Sequence, residues 1–205
     1  GLYASERSGG KKLRDVLKVR DHCFMDETLE REIEVMDLEK ISSAARVAFS
    51  GIPSELAGHT ESALAESGVA VFTNAGAHRM DPDVPILIPE VNPGHLRSVT
   101  GQRSYVESGG FIVTNANCST TGIALPLKAI DAKYGLEEAF VSTYQALSGA
   151  GYPGVPSLDA VGNVVPFIKG EEEKMETELC KMLGVFDGNV FRFADMRLMA
   201  NCARV

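Results

Sequence analysis

Phe111-Ile-Val-Thr-Asn-Ala-Asn-Cys-Ser-Thr-Thr-Gly122 decides the fold. Phe111–Thr114 is a short apolar, β-branched run introduced by Gly109-Gly110, so it reads as a buried strand. Asn115–Cys118 is a polar connection of the kind that forms a loop. Ser119 to Ile130 reads as a helix, with hydroxyls at its start as caps and Gly135 beyond its end. Pro126 should kink it or weaken one turn. A buried strand that passes through a tight turn into a helix is the repeating unit of a parallel α/β sheet.

The pattern repeats upstream. Arg46-Val-Ala-Phe-Ser50 is an apolar run closed by Gly51 and Pro53. Ser54 fits an N-cap, and Leu56, Ala57, Ala63 and Leu64 line the helix that follows. Val69–Thr73 is the next strand, with Asn74–Ala77 as its loop, and Pro85-Ile-Leu-Ile-Pro-Glu-Val91 is expected as another. Residues 5–12 form a polar, glycine-bearing loop after the apolar stub Leu2-Tyr3. The charge-rich stretch 26–40 shows only an imperfect stripe of Leu29, Ile33, Met36 and Leu38 and stays unassigned. Downstream the texture changes. Ala139–Gln145 alternates like a strand in a half-exposed sheet, and 147–154 is a glycine loop. Residues 171–183 form a helix with acidic residues at its positive end. Val190–Phe193 and 197–202 look like later strands. The reading is therefore α/β: an incomplete Rossmann-type parallel sheet in residues 1–116, then part of an α+β domain in residues 117–205.

Composition removes several functions. The chain has 205 residues, 44% hydrophobic, with a net charge of −8. An acidic balance argues against nucleic acid or an anionic membrane surface as partner. No apolar run reaches the roughly 18 residues of a membrane span. Cys23, Cys118, Cys180 and Cys202 form no C-x-x-C pair and no zinc spacing with the histidines, so no metal is expected. The absence of a secretory signal disfavours a disulfide framework and points to a reducing, cytoplasmic compartment. Both ends read as cut through an element.

Cys118 is the leading candidate for chemistry. Unpaired N–H groups at a helix start favour an anion, and a thiolate is the reactive form of cysteine. The same groups could hold an oxyanion during acyl transfer. The alternative is a small buried hydrophobe. Arg79 follows a parallel strand, where ligands bind in open α/β sheets, and could hold a phosphate or carboxylate; a solvated surface arginine is the other reading. If Leu2-Tyr3 ends a strand, Ser5, Arg7 and Ser8 lie where such a sheet reads the adenosine ribose, and arginine with hydroxyls suits a 2′-phosphate; a plain surface loop is the other reading. Glu171–Lys174 and Arg204 could bind the two charged ends of an amino acid; a solvated helix start is the other reading of the first. His22, His59, His78 and His95 fall in no motif.

Together these residues resemble a known family. Ala4–Lys12, Phe49–Ser54, Asn74–Pro85, Ile88–Asn92, Asn115–Gly122, Gln145–Gly151, Asn163–Ile168, Gly170–Lys174 and Asn201–Val205 are similar, in order, to aspartate-β-semialdehyde dehydrogenases of the archaeal and fungal type. The resemblance implies NADP(H)-dependent reductive dephosphorylation of L-aspartyl 4-phosphate to aspartate 4-semialdehyde, a step of lysine, threonine and methionine biosynthesis. It implies Cys118 as nucleophile and Gln145 as its orienting partner. It matches Arg79 and Asn117 with phosphate, and Glu171, Lys174 and Arg204 with the substrate. It matches Ser5, Arg7, Ser8, Ser54, Ser148 and Gly149 with the cofactor. A homodimer or homotetramer acting on small molecules is implied. The family's opening glycine-rich turn and its general acid/base histidine have no match here, so the chain reads as the middle of a longer enzyme, expected to be poorly active alone. Malonyl-CoA reductase, a relative with the same cysteine chemistry, and a non-catalytic truncated homologue are the alternatives.

Overall fold

The computed structural model describes residues 1–17, 24–151 and 154–205; His22, Cys23 and part of the glycine loop 147–154 lie outside them. The first half runs β1 (Tyr3–Ala4), α1 (Leu13–Val16), α2 (Asp26–Leu29), β2 (Glu34–Val35), α3 (Leu38–Ala44), β3 (Val47–Ser50), α4 (Ser54–Glu66) and β4 (Ala70–Thr73). A 3-10 stretch Pro93–Gly101, α5 (Arg103–Ser108) and β5 (Phe111–Thr114) complete it. The second half begins with α6 (Cys118–Tyr134) and β6 (Glu138–Gln145). After a 3-10 turn Leu147–Ala150 come α7 (Ser157–Ala160), β7 (Val165–Pro166), α8 (Glu171–Leu183), β8 (Val185–Phe186), β9 (Phe191–Arg192) and β10 (Arg197–Arg204).

β3, β4 and β5 form a parallel sheet in chain order, and β1 and β2 a second parallel pair. This is the expected α/β half. In the second half β10 lies between β6, parallel to it, and β7, antiparallel to it. That mixed sheet is the expected α+β part. Gly110 shows why a glycine precedes β5: a Cβ there would lie 2.0 Å from the carbonyl oxygen of Ala65. The chain can pass the end of α4 only without a side chain.

Four expectations are corrected. Pro85–Val91 is not a strand. Only Ile86 bridges to Thr114; Ile88 donates its N–H to the Asn92 side chain, whose amide donates back to the Ile86 carbonyl. Pro85 and Pro89 have no N–H for a ladder, so a side chain takes over the pairing. Ser54 does not cap α4. It is the first helical residue, after Pro53, and its hydroxyl accepts from the Gly76 N–H at 3.2 Å. The cap of α6 is the Asn117 side chain rather than the hydroxyls. The helix runs unbroken past Pro126.

Two cores result. Ile41, Leu64, Val69, Val71 and Ile112 fill the first half. Ile86, Ile88 and Val91 pack instead against α6 and α8, with Met175, Leu179 and Met182 of α8 almost fully buried. Each such side chain contributes on the order of 2 kcal/mol. The loop that failed to become a strand thus seals the first sheet onto the helices that carry the candidate site.

Candidate active site

The site is built at the start of α6. Asn117, half-buried, has the extended backbone of a cap, and its Oδ1 accepts from the N–H groups of Ser119 at 2.9 Å and Thr120 at 3.5 Å. Cys118 follows as the first helical residue and is exposed. No described residue accepts from its backbone N–H, so a donor at the positive end of a 17-residue helix stays open beside the thiol. Glu171, at the head of α8, accepts from the Asn117 amide at 3.2 Å and from the Ser119 hydroxyl at 2.9 Å. The next residue, Glu172, accepts from the Cys202 N–H at 3.1 Å. The first turn of α8 therefore joins the helix that begins at Cys118 to β10.

On the α8 side of the second sheet, parallel pairing sets Thr143 opposite Cys202 and Gln145 opposite Arg204. Burial raises the pKa of the Cys202 thiol, partly offset by hydrogen bonds from Thr143 and Gln145. The Gln145 amide also donates to the Thr143 hydroxyl at 3.2 Å. Gln145 thus lies near the site but makes no hydrogen bond with Cys118. Arg204 donates to the Ala146 carbonyl at 3.3 Å. A Cβ on Gly149 would lie 3.2 Å from its guanidinium. Lys174 is exposed one turn into α8, and no described residue meets its ammonium.

Arg79 is not a surface arginine. It is 8% exposed. Its Nε donates to the Asn115 carbonyl at 2.9 Å, Nη2 to the Asn74 carbonyl at 2.8 Å and Nη1 to Glu178 at 2.9 Å. Three of the five N–H donors of a guanidinium are committed within the protein, leaving two for an anion. Glu178 and Lys181, which hold Arg79 and its loop, escaped the sequence reading. Their signal was position: both fall among Met175, Leu179 and Met182 on the buried face of α8, where unpaired charge is not tolerated.

The loop of Ser5, Arg7 and Ser8 stands apart. It follows β1, closed by N–H groups of Ser8 and Gly9 on the Ser5 carbonyl at 2.9 and 3.1 Å. Arg7 is exposed, and among the described residues nothing bonds its guanidinium or the hydroxyls of Ser5 and Ser8. A cation with two hydroxyls left open at the C-terminal end of a parallel strand fits a phosphorylated ribose. Ser54 and Gly76 meet at the corresponding end of β3 and β4, and Ser148 is exposed beside Gly149. Two of the described histidines have other tasks. His78 sits between Asp81, at 2.7 Å, and Glu61, at 3.8 Å. His95, its pKa lowered by burial, contacts Asn92 and the Gly184 carbonyl.

Comparison with known proteins gives one answer. The NAD-binding domain of the semialdehyde dehydrogenases matches residues 1–99, and their dimerisation domain matches residues 127–205. An aspartate-semialdehyde dehydrogenase of Archaeoglobus fulgidus is 45% identical over 206 residues, covering 100% of this chain and 59% of that protein. One of Aspergillus fumigatus is 40% identical, covering 100% and 58%. The solved structure of the Candida albicans aspartate-semialdehyde dehydrogenase with NADP superposes with a TM-score of 0.88 at 34% identity, covering 100% of this chain and 60% of that one. The chain thus spans somewhat over half the length of these relatives. With both domains matched in order and the cysteine at the start of α6, the chain belongs to the semialdehyde dehydrogenase family.

Proposed function

We propose that this chain carries the cysteine site of an NADP-dependent aspartate-semialdehyde dehydrogenase. The observation that carries the reading is Cys118: an exposed thiol as the first residue of α6, next to an open N–H donor, with its turn held by Asn117 and Glu171. In this reading the Cys118 thiolate attacks the acyl carbon of L-aspartyl 4-phosphate. The helix-start N–H steadies the oxyanion, and the C–O bond to phosphate breaks to leave a thioester on Cys118. NADPH, when bound, supplies the hydride that takes this thioester to the aldehyde level. The Cys118 sulfur is then released. Asn117 and the two open donors of Arg79 steady the leaving phosphate. Gln145 orients the reacting group. Arg204 and Lys174 meet the substrate's anionic groups, and Glu171, with lone pairs left beyond its two bonds, meets the ammonium. Arg7, Ser5 and Ser8 receive the 2′-phosphate; Ser54, Ser148 and Gly149 line the rest of the cofactor path. Assembly into a homodimer or homotetramer through the second sheet belongs to the same reading.

The test needs no hydride. On mixing with L-aspartyl 4-phosphate, the chain is expected to release phosphate once and to carry a hydroxylamine-labile aspartyl adduct on Cys118, absent in Cys118→Ser. Glu171→Ala should weaken adduct formation by about tenfold through loss of the ammonium contact. No adduct on the unaltered chain would overturn the assignment. A malonyl adduct from malonyl-CoA, indifferent to Glu171→Ala, would put the chain with the malonyl-CoA reductases instead.

A further inference from the structure

Glu178 is 2% exposed and lies where the two loops of the site meet. One carboxylate oxygen accepts from Arg79 Nη1 at 2.9 Å; the other accepts from the backbone N–H of Asn117 at 2.7 Å. Three residues along α8, the Lys181 ammonium donates to the Arg79 carbonyl at 2.7 Å and to the carbonyls of Asp81 and Val84 at 2.8 Å. It also lies 4.6 Å from the centre of the Phe191 ring. Arg79 is therefore gripped at both ends from one face of α8, its guanidinium by Glu178 and its backbone by Lys181.

We propose that Glu178 is a positioning residue: its two oxygens fix the distance between the Arg79 guanidinium and the turn that presents Cys118. The proposal rests on the reading above, in which Arg79 and Asn117 together receive phosphate. An ion pair that served the fold alone would need only the contact with Arg79. Here the second oxygen holds the N–H at the cap of the nucleophile helix, so a shift of either partner is passed to the other. The chemistry demands a carboxylate. Both partners are donors, and a glutamine would turn its own NH₂ against one of them.

The test uses alkylation of Cys118 by iodoacetamide in the 205-residue chain, read residue by residue by mass spectrometry, with and without inorganic phosphate. Buried Cys202 reports the fold in the same sample. Glu178→Gln is expected to change the Cys118 rate by about fivefold or more, and to raise the phosphate concentration for half-protection about tenfold, as loss of a charged hydrogen bond does. Glu178→Asp, which keeps both acceptors, should stay within about threefold of the unaltered chain, and Cys202 should stay protected in both. Because Glu178→Gln strands the Arg79 charge, Arg79→Leu with Glu178→Leu is run beside it. That pair removes both charges yet still leaves the Asn117 N–H without its acceptor, so the altered Cys118 rate should persist. A Cys118 rate within about twofold of the unaltered chain in Glu178→Gln or in the Arg79→Leu, Glu178→Leu pair, whichever of these keeps Cys202 protected, overturns the proposal. If phosphate does not protect the unaltered chain, the phosphate reading falls, and the Cys118 rates alone decide for or against Glu178.

Discussion

Asn117 ends one loop and begins the helix that carries the thiol. Its carbonyl-side oxygen caps α6 while its NH₂ donates to Glu171, so both halves of the amide are used. Aspartate is as good an N-cap as asparagine and is favoured by the helix dipole, so a helix-only argument predicts that Asn117→Asp is harmless. The contact with Glu171 predicts otherwise. Aspartate would set a second carboxylate where the Asn117 NH₂ now lies 3.2 Å from Glu171. Two such groups cannot both ionise at low cost, so one pKa rises in the folded state. A group whose folded pKa lies above its unfolded value contributes stability at low pH and loses it as pH rises. Asn117→Asp should therefore be less stable than the unaltered chain by about 1–2 kcal/mol at pH 7 and recover near pH 4. Urea midpoints at the two pH values check this; equal deficits at both would remove the carboxylate clash as the cause.

Among the elements, α8 organises the site, and its polar residues reach in several directions. Glu171 holds α6; Glu172 and Glu176 accept from the N–H groups of Cys202 and Ala200 on β10; Glu178 and Lys181 hold Arg79. Burial pushes the Lys181 pKa down to about 8, against the pull of Asp81 and Asp83. The unfolded chain holds this proton up to its ordinary value of 10.5. Between those two pH values the unfolded state binds more protons, so the contribution of Lys181 to stability grows as pH rises through that window. Lys181→Met loses three hydrogen bonds and should be destabilised at pH 7 for that reason, and its deficit against the unaltered chain should widen by up to about 3 kcal/mol between pH 8 and 10.5. Urea unfolding across that range measures it, and a constant deficit would contradict the assigned desolvation. Legibility followed the same divide. α6, α8 and the strands around Cys118 were readable because caps, glycines and apolar runs act locally. Pro85–Val91 misled because its composition is strand-like while its prolines cannot donate. β2 and α3 were hidden in the charged stretch 26–40, although the Asp37 cap on the Lys40 N–H was there to be found. Cys118 was legible from its junction. Glu178 was not, because a glutamate in an acidic helix reads as solvated until the fold shows that its face is buried.

At the scale of the whole molecule, the second sheet has one face against α8 and one open. Leu198, Ala200 and Cys202 of β10, with Ala139 and Val141 of β6, point to the helices. The alternate residues point away: Phe140 is 69% exposed, Tyr144 70% and Met199 43%, and the register sets Met199 opposite Phe140. Phe140 and Met199 form an exposed apolar pair, with Tyr144 further along the same face beyond Ser142 and Asn201, a surface that an isolated chain would not be expected to leave in water. In the proposed assembly, which the match of residues 127–205 to a dimerisation domain supports, the occupant of this face is a second copy of the same surface. A two-fold contact is self-complementary, so each change in this face is felt twice. Replacing Phe140 and Tyr144 with glutamate places four carboxylates in one interface while leaving the inward residues untouched. The double variant should elute as a monomer in light-scattering chromatography, with unchanged helical circular dichroism, where the unaltered chain elutes as a dimer or tetramer. Because Gln145 follows Tyr144 on β6 and its inward face adjoins Cys202, loss of the partner should also loosen the β6 end of the site. Cys202 alkylation in the monomeric variant should then accelerate by about tenfold relative to the assembled chain, through local opening of the sheet edge. An unaltered chain that is monomeric at micromolar concentration, with the same Cys202 rate as the variant, would show that this face serves another partner.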